Sequence, residues 1–235
     1  MSITAIVLAG GSGSRMNSSI QKQFLPLKEK PVLYYSLKAF DDSRVTDIIL
    51  VTGKGQEEYC QQEIIKRYHI KKVKQIVHGG KERFESVFCG LNAADMTDYI
   101  LIHDGARPLV TKELINRMVE QVQIHKACVA AVPVKDTIKV IDNNGYVVDT
   151  PDRQQIWQVQ TPQAFEYKLV MSAYQSLMAA GDKHVTDDAM VVEAYTNRRV
   201  KLIKGDYKNI KITTPEDLLI ADVFIPHINI EEKKS

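Results

Sequence analysis

Short β-branched runs alternate with longer segments of helical period along this 235-residue chain, and that rhythm leaves few folds open. Residues 3–9, 47–52, 73–78, 99–103 and 128–133 read as strands, and 31–40, 57–68, 84–94 and 112–126 as helices, with Pro31 suited to a first helical position. Alternation at this spacing predicts a Rossmann-like α/β fold, a mostly parallel sheet with helices on both faces. The rhythm breaks after Pro133, where 137–141 and 146–150 flank Asp142-Asn143-Asn144-Gly145, a hairpin-turn signal. It resumes with helices at 167–180 and 187–195, a strand at 200–204 and a closing helix at 215–224. No linker divides the chain, so a single domain, 1–235, is expected, with 136–160 as an inserted β-arm.

In open α/β sheets ligands bind beyond the carboxyl ends of the strands. Directly after the first strand comes Leu8-Ala9-Gly10-Gly11-Ser12-Gly13-Ser14-Arg15-Met16. Its glycines let several backbone N–H groups converge on one point, as a phosphate requires; a plain strand-to-helix turn is the alternative. No Gly-Lys-Ser/Thr follows, which excludes a Walker loop, and Met16 stands where a dinucleotide fingerprint has its third glycine. Ala9, Gly10, Gly11 and Gly13 are therefore candidate nucleotide contacts. Arg15 and Lys22 follow closely and suit the charge that builds on the attacked α-phosphate and the departing pyrophosphate in nucleotidyl transfer.

The fourth strand leads into His103-Asp104-Gly105-Ala106-Arg107-Pro108. A carboxylate at a strand end suits Mg²⁺, which takes one or two carboxylates beside substrate phosphates and water. The alternative for Asp104 is a helix cap, a role for which Thr111 is better placed. Arg107 would face a phosphate or the acceptor, and His103 reads as packed support rather than a base. Thr186 reads as an N-cap before the acidic turn Asp187-Asp188.

A net charge of +2, from 31 basic and 29 acidic side chains, gives no field to collect a nucleic acid. No apolar run suits a membrane span and no secretory leader is evident, so a cytoplasmic location is expected. Cys60, Cys89 and Cys128 lack metal-ligand spacing and read as reduced thiols.

Together, LAGGSGSRM and KQFLPL resemble the sugar-phosphate nucleotidyltransferases. The later segments HGGKERFESV, HDGARP, VKDTIK, TDDA and NIKIT narrow the resemblance, over about residues 4–224, to the cytidylyltransferases that act on 2-C-methyl-D-erythritol 4-phosphate in the non-mevalonate isoprenoid pathway. That resemblance implies CTP as nucleotide, Mg²⁺ as cofactor and a sugar-alcohol phosphate as acceptor. It implies nucleotide contacts at Gly80, Lys81, Ser86 and Gly105, with Arg83 a neighbour, a phosphate-binding lysine at Lys211, and acceptor contacts at Thr137 and Thr186. It also implies a homodimer whose arms are exchanged, so that Arg153 and Thr161 reach the neighbour's site. A phosphate monoester acceptor is largely dianionic at neutral pH, its second pKa being about 6, so no side chain need act as base. Catalysis then falls to alignment and to charge from Mg²⁺, Arg15, Lys22, Arg153 and Lys211.

Two alternatives remain at this point. Ribitol-5-phosphate cytidylyltransferases share the loop, and Ala9-Gly10-Gly11 is closer to their form, whereas VKDTIK, GAR and TDDA favour methylerythritol phosphate. A non-catalytic nucleotide-sensing domain is disfavoured by the presence of Arg15, Lys22, Asp104 and Lys211.

Overall fold

The structure is a computed structural model that describes residues 1–11, 20–94, 97–181 and 184–225. Its elements are β1 (Ile3–Ala9), the short β2 (Pro26–Leu27) and β3 (Lys30–Pro31), α1 (Val32–Asp41), β4 (Asp47–Thr52), α2 (Glu57–Tyr59), β5 (Val73–His78), α3 (Arg83–Ala93), β6 (Tyr99–Asp104), α4 (Lys112–His125) and β7 (Ala127–Pro133). A ribbon of β8 (Val140–Ile141) and β9 (Val147–Asp149) follows, then β10 (Trp157–Glu166), α5 (Tyr167–Ala180), α6 (Asp188–Tyr195), β11 (Lys201–Lys204) and α7 (Pro215–Phe224).

The predicted α/β architecture is present as a seven-stranded sheet in the order β11-β7-β10-β6-β1-β4-β5. Pairings among β6, β1, β4 and β5, and of β11 with β7, are parallel. Successive side chains of a strand point to opposite faces, and both faces here are apolar. Ala5 and Val7 of β1 enter a core with Leu33, Leu37 and Phe40 of α1 and Met118 of α4. Ile6 enters the opposite core with Leu91 of α3, Tyr174 of α5 and Val192 of α6.

One strand of this sheet is missing from the sequence reading. β10 runs antiparallel between β6 and β7. Pro162 and the polar Gln158, Gln160 and Gln163 obscure its alternation, because proline removes a ladder donor and usually marks an edge. β10 takes the proline at a register shift between Val159 and Gln163. Its direction also brings its amino end to the edge where the parallel strands end, so Gln160 and Thr161 arrive beside Asp104.

Smaller departures follow from local chemistry. Pro31 pairs in β3 with an extended ψ of 147° and caps α1 from outside. The predicted helix over 57–68 is the short α2 continued by a π-helical stretch, Cys60–Lys66. α6 is capped by Asp187, whose carboxylate accepts from the Met190 amide at 2.9 Å, rather than by Thr186. The arm is shorter than 136–160, since Trp157 already pairs with Pro133 in the main sheet. At its tip Asp142 Oδ1 accepts from the Asn144 and Tyr146 amides, both at 2.9 Å, and Gly145 takes a φ of +85°, where a side chain would be strained.

Candidate active site

Two clefts open at the carboxyl edge of the sheet and share one wall. The first, about 340 Å³, is lined by Ala9, Gly10, Gly11, Lys22, Gly80, Lys81 and Ser86, with Asp104 and Lys211 at its inner end. The second, about 660 Å³, is lined by Arg107, Gln160, Thr161, Thr186 and Asp187, again with Asp104 and Lys211. Both are of a size that small ligands fill. Gly13 and Arg15 lie outside the described residues.

The end of β1, the first turn of α3 and the loop after β6 line the first cleft. Gln23, 2% exposed, donates from Nε2 to the carbonyls of Ala9 at 2.6 Å and Gly11 at 3.3 Å, fixing the entry to the glycine-rich segment. Gly105 is buried beneath the cleft rather than lining it. Its amide donates to the Leu8 carbonyl at 2.8 Å, and a Cβ there would stand 2.9 Å from that same oxygen. The structure thus gives Gly105 a packing role. α3 begins with a capping box between Glu82 and Glu85, and the Lys81 amide donates to Glu85 Oε2 at 2.7 Å.

Asp104 is the shared wall. Its Oδ2 is 2.8 Å from Lys211 Nζ and 3.8 Å from Arg107 Nε, and its Oδ1 receives Arg83 Nε at 3.2 Å. Burial pushes the Asp104 carboxyl up, but Arg83, Lys211 and Arg107 outweigh it and hold the group well below the usual carboxylate range. This donor set does not fit a metal held by the protein. Both oxygens already face cations, and no group of three or more His, Cys, Asp or Glu gathers among the described residues. It fits an ion that arrives on phosphate oxygens, with Asp104 as the one carboxylate at the wall.

His103, fully buried, is not a base. Its Nδ1 lies 2.9 Å from Thr161 Oγ1 and its Nε2 3.3 Å from the Arg107 carbonyl. Thr161 Oγ1 also accepts from the Asp104 amide at 3.1 Å, so its proton is directed to Nδ1. Burial, with Arg107 and Lys211 beyond it, pulls the imidazole down to about 3 against the opposing Asp104, and the ring stays neutral.

Thr161, 3% exposed in β10, therefore belongs to its own subunit's site, and the expectation that it reaches a neighbour is corrected. Thr137 and Arg153 line neither cleft. Thr137 is exposed on the arm, and Arg153, exposed at its base, donates to the Lys135 carbonyl at 3.4 Å. Thr186, relieved of capping, stands exposed at the rim of the larger cleft. Lys211 is carried on a loop pinned from below: Asn209, 0% exposed, donates from Nδ2 to the Thr161 carbonyl at 2.8 Å, and its own carbonyl receives Arg107 Nη1 at 2.8 Å.

Several contributors were missed. Asp188 takes Arg83 in a two-point fork, Nη1 at 2.7 Å and Nη2 at 2.8 Å, while Tyr174 donates its hydroxyl to Asp188 at 2.6 Å. An aspartate among Ala189, Val191 and Val192 was the available signal, since a carboxylate on an apolar helix face needs a buried partner. Gln23 and Gln163 gave no periodic signal at all.

A cleft for a phosphate chain, a second cleft beside it, and a wall with more cations than carboxylates suit transfer between two phosphorylated ligands. The family of 2-C-methyl-D-erythritol 4-phosphate cytidylyltransferases matches over residues 3–227. The enzyme of that name from Lachnospira eligens is 53% identical over 94% of this chain and 98% of its own. Its counterpart from Lachnoclostridium phytofermentans is 50% identical over 95% and 96%. Among solved structures, the 4-diphosphocytidyl-2C-methyl-D-erythritol synthase of Anaerococcus prevotii superposes with a TM-score of 0.84 at 35% identity, covering 96% of both chains. The resemblance read from the motifs thus holds across the whole fold, and the chain belongs to the 2-C-methyl-D-erythritol 4-phosphate cytidylyltransferase family.

Proposed function

We propose that the enzyme transfers CMP from CTP to 2-C-methyl-D-erythritol 4-phosphate, giving 4-diphosphocytidyl-2-C-methyl-D-erythritol and pyrophosphate, with CTP in the smaller cleft and the acceptor in the larger. The observation that carries the assignment of clefts is the shared wall, where Lys211 Nζ stands 2.8 Å from Asp104 and lines both. An acceptor phosphate oxygen attacks the α-phosphorus in line. A new phosphorus–oxygen bond forms as the bond to the β-phosphate breaks, and the electron pair leaves on pyrophosphate. The attacking dianion carries no proton to be removed, so the neutrality of His103 costs the reaction nothing.

Lys22 and Lys211 supply charge that grows more valuable as negative charge shifts toward the leaving oxygens. Arg15, from the glycine-rich segment, belongs to the same set. Asp104 would be the carboxylate nearest a Mg²⁺ ion brought in with CTP, and such an ion would offset charge on the transferring phosphates. Arg153 and Thr137 act on the acceptor in a partner's site, delivered by an arm on which Ile141, Tyr146 and Val148 are 59%, 74% and 62% exposed, an apolar surface a two-stranded ribbon cannot bury alone. A cytoplasmic homodimer fits these features, and among the described residues no helix is long and apolar enough to cross a membrane.

Mass analysis of a reaction of CTP, Mg²⁺ and methylerythritol 4-phosphate checks the transfer. A cytidine diphosphate ester and pyrophosphate in equal amounts are expected. Release of pyrophosphate with free CMP would show hydrolysis instead and reject the transfer.

A further inference from the structure

Arg83 also lines both clefts, and its setting differs from that of an ordinary buried ion pair. Its fork binds Asp188, which is 0% exposed, and Asp188 in turn takes the hydroxyl of Tyr174, also 0% exposed. The arginine side chain itself remains 30% exposed at the wall, with Nε on Asp104 Oδ1. A pair that served only to join α3 to α6 would be closed at both ends; here the anionic end is sealed and the cationic end opens on the clefts. These bonds use three of the guanidinium's five N–H groups. Burial opposes the charge on Arg83, but Asp188 and Asp104 more than compensate and raise its pKa well above the usual value.

Resting on the proposed transfer, we infer that Arg83 is a further catalytic residue, a fixed cation that meets the phosphates at the junction of the two clefts, and that Asp188 and Tyr174 are positioning residues that hold its fork in place. The planar fork matters because it sets direction as well as charge. A guanidinium held at two points presents its remaining donors along fixed lines, whereas a lysine there would be a movable point charge. Preorganised donors of this kind act most strongly on charge that develops in the transition state.

The test compares Asp188→Asn, Tyr174→Phe and Arg83→Lys with the unaltered enzyme, measuring kcat and both KM values together with thermal melting. Asp188→Asn is expected to lower kcat at least about tenfold with each KM changed less than about threefold, and Tyr174→Phe to lower kcat about threefold. Arg83→Lys, which keeps charge without the fork, is expected to retain less than about a tenth of kcat. Variants that melt earlier yet turn over at the unaltered kcat per folded enzyme would overturn the inference and leave a structural pair. If Asp188→Asn does not fold, Tyr174→Phe decides: an unchanged kcat overturns the inference. The unaltered enzyme separates the two claims, since its own failure to form product rejects the transfer, whereas normal turnover with unaffected variants rejects only the role of Arg83.

Discussion

At the scale of single residues the site is organised by one carboxylate. Asp104 gathers Lys211, Arg83 and Arg107, cations that would otherwise repel one another in a partly buried wall. Beneath it His103 is kept neutral, and this has a measurable consequence. An imidazole pulled down to about 3 in the folded protein, against about 6.5 when unfolded, leaves the unfolded chain binding more protons below pH 6.5. Its contribution is fully present above pH 6.5 and is lost as pH falls toward 3. Between pH 6.5 and 5 the loss should be on the order of 2 kcal/mol, and His103→Gln should flatten that part of the profile. Urea unfolding at the two pH values checks this; an unchanged slope in the variant would assign the loss elsewhere. Asp104, Arg107 and Lys211 were legible in the sequence because each follows a strand or stands in a motif at the carboxyl edge. Asp188 and Tyr174 were not, since their partner Arg83 lies about a hundred positions away from Asp188 and only packing brings them together.

At the scale of elements, β10 and the arm decide most of what the alternation of strands and helices could not. β10 was hidden by Pro162, yet its reversed direction puts Gln160 and Thr161 beside Asp104 and moves Thr161 from an exchanged arm to its own subunit's core. The hairpin was legible from its Asp-Asn-Asn-Gly turn alone, and its exposed face gives it a reason to seek a partner. If Arg153 serves the neighbouring subunit, each site combines Lys22 of one chain with Arg153 of the other. Random mixing of Lys22→Ala and Arg153→Ala chains, each inactive alone, then restores about a quarter of the original activity, because half the dimers are mixed and each carries one intact site. Mixed dimers confirmed by mass that remain inactive would place Arg153 in its own subunit's site.

At the scale of the whole molecule, strand alternation sufficed to predict the layered α/β frame, because a parallel sheet buried on both faces leaves apolar runs that are hard to mistake. The glycine-rich segment alone indicated no more than an anion cradle; the second cleft, visible only once β10 and α6 were placed, is the site proposed for the acceptor. Choice of acceptor is the claim with the most consequence, since Ala9-Gly10-Gly11 leans toward a ribitol phosphate enzyme while Thr186 and Asp187, which line the larger cleft, stand in the TDDA segment that favours methylerythritol phosphate. The deciding measurement is pyrophosphate release with CTP and Mg²⁺, comparing kcat/KM for 2-C-methyl-D-erythritol 4-phosphate and ribitol 5-phosphate. A preference of about a hundredfold or more for methylerythritol phosphate is expected, as hydroxyl-matched pockets discriminate at this level. Equal or reversed preference, or no release from either by folded enzyme, would contradict it.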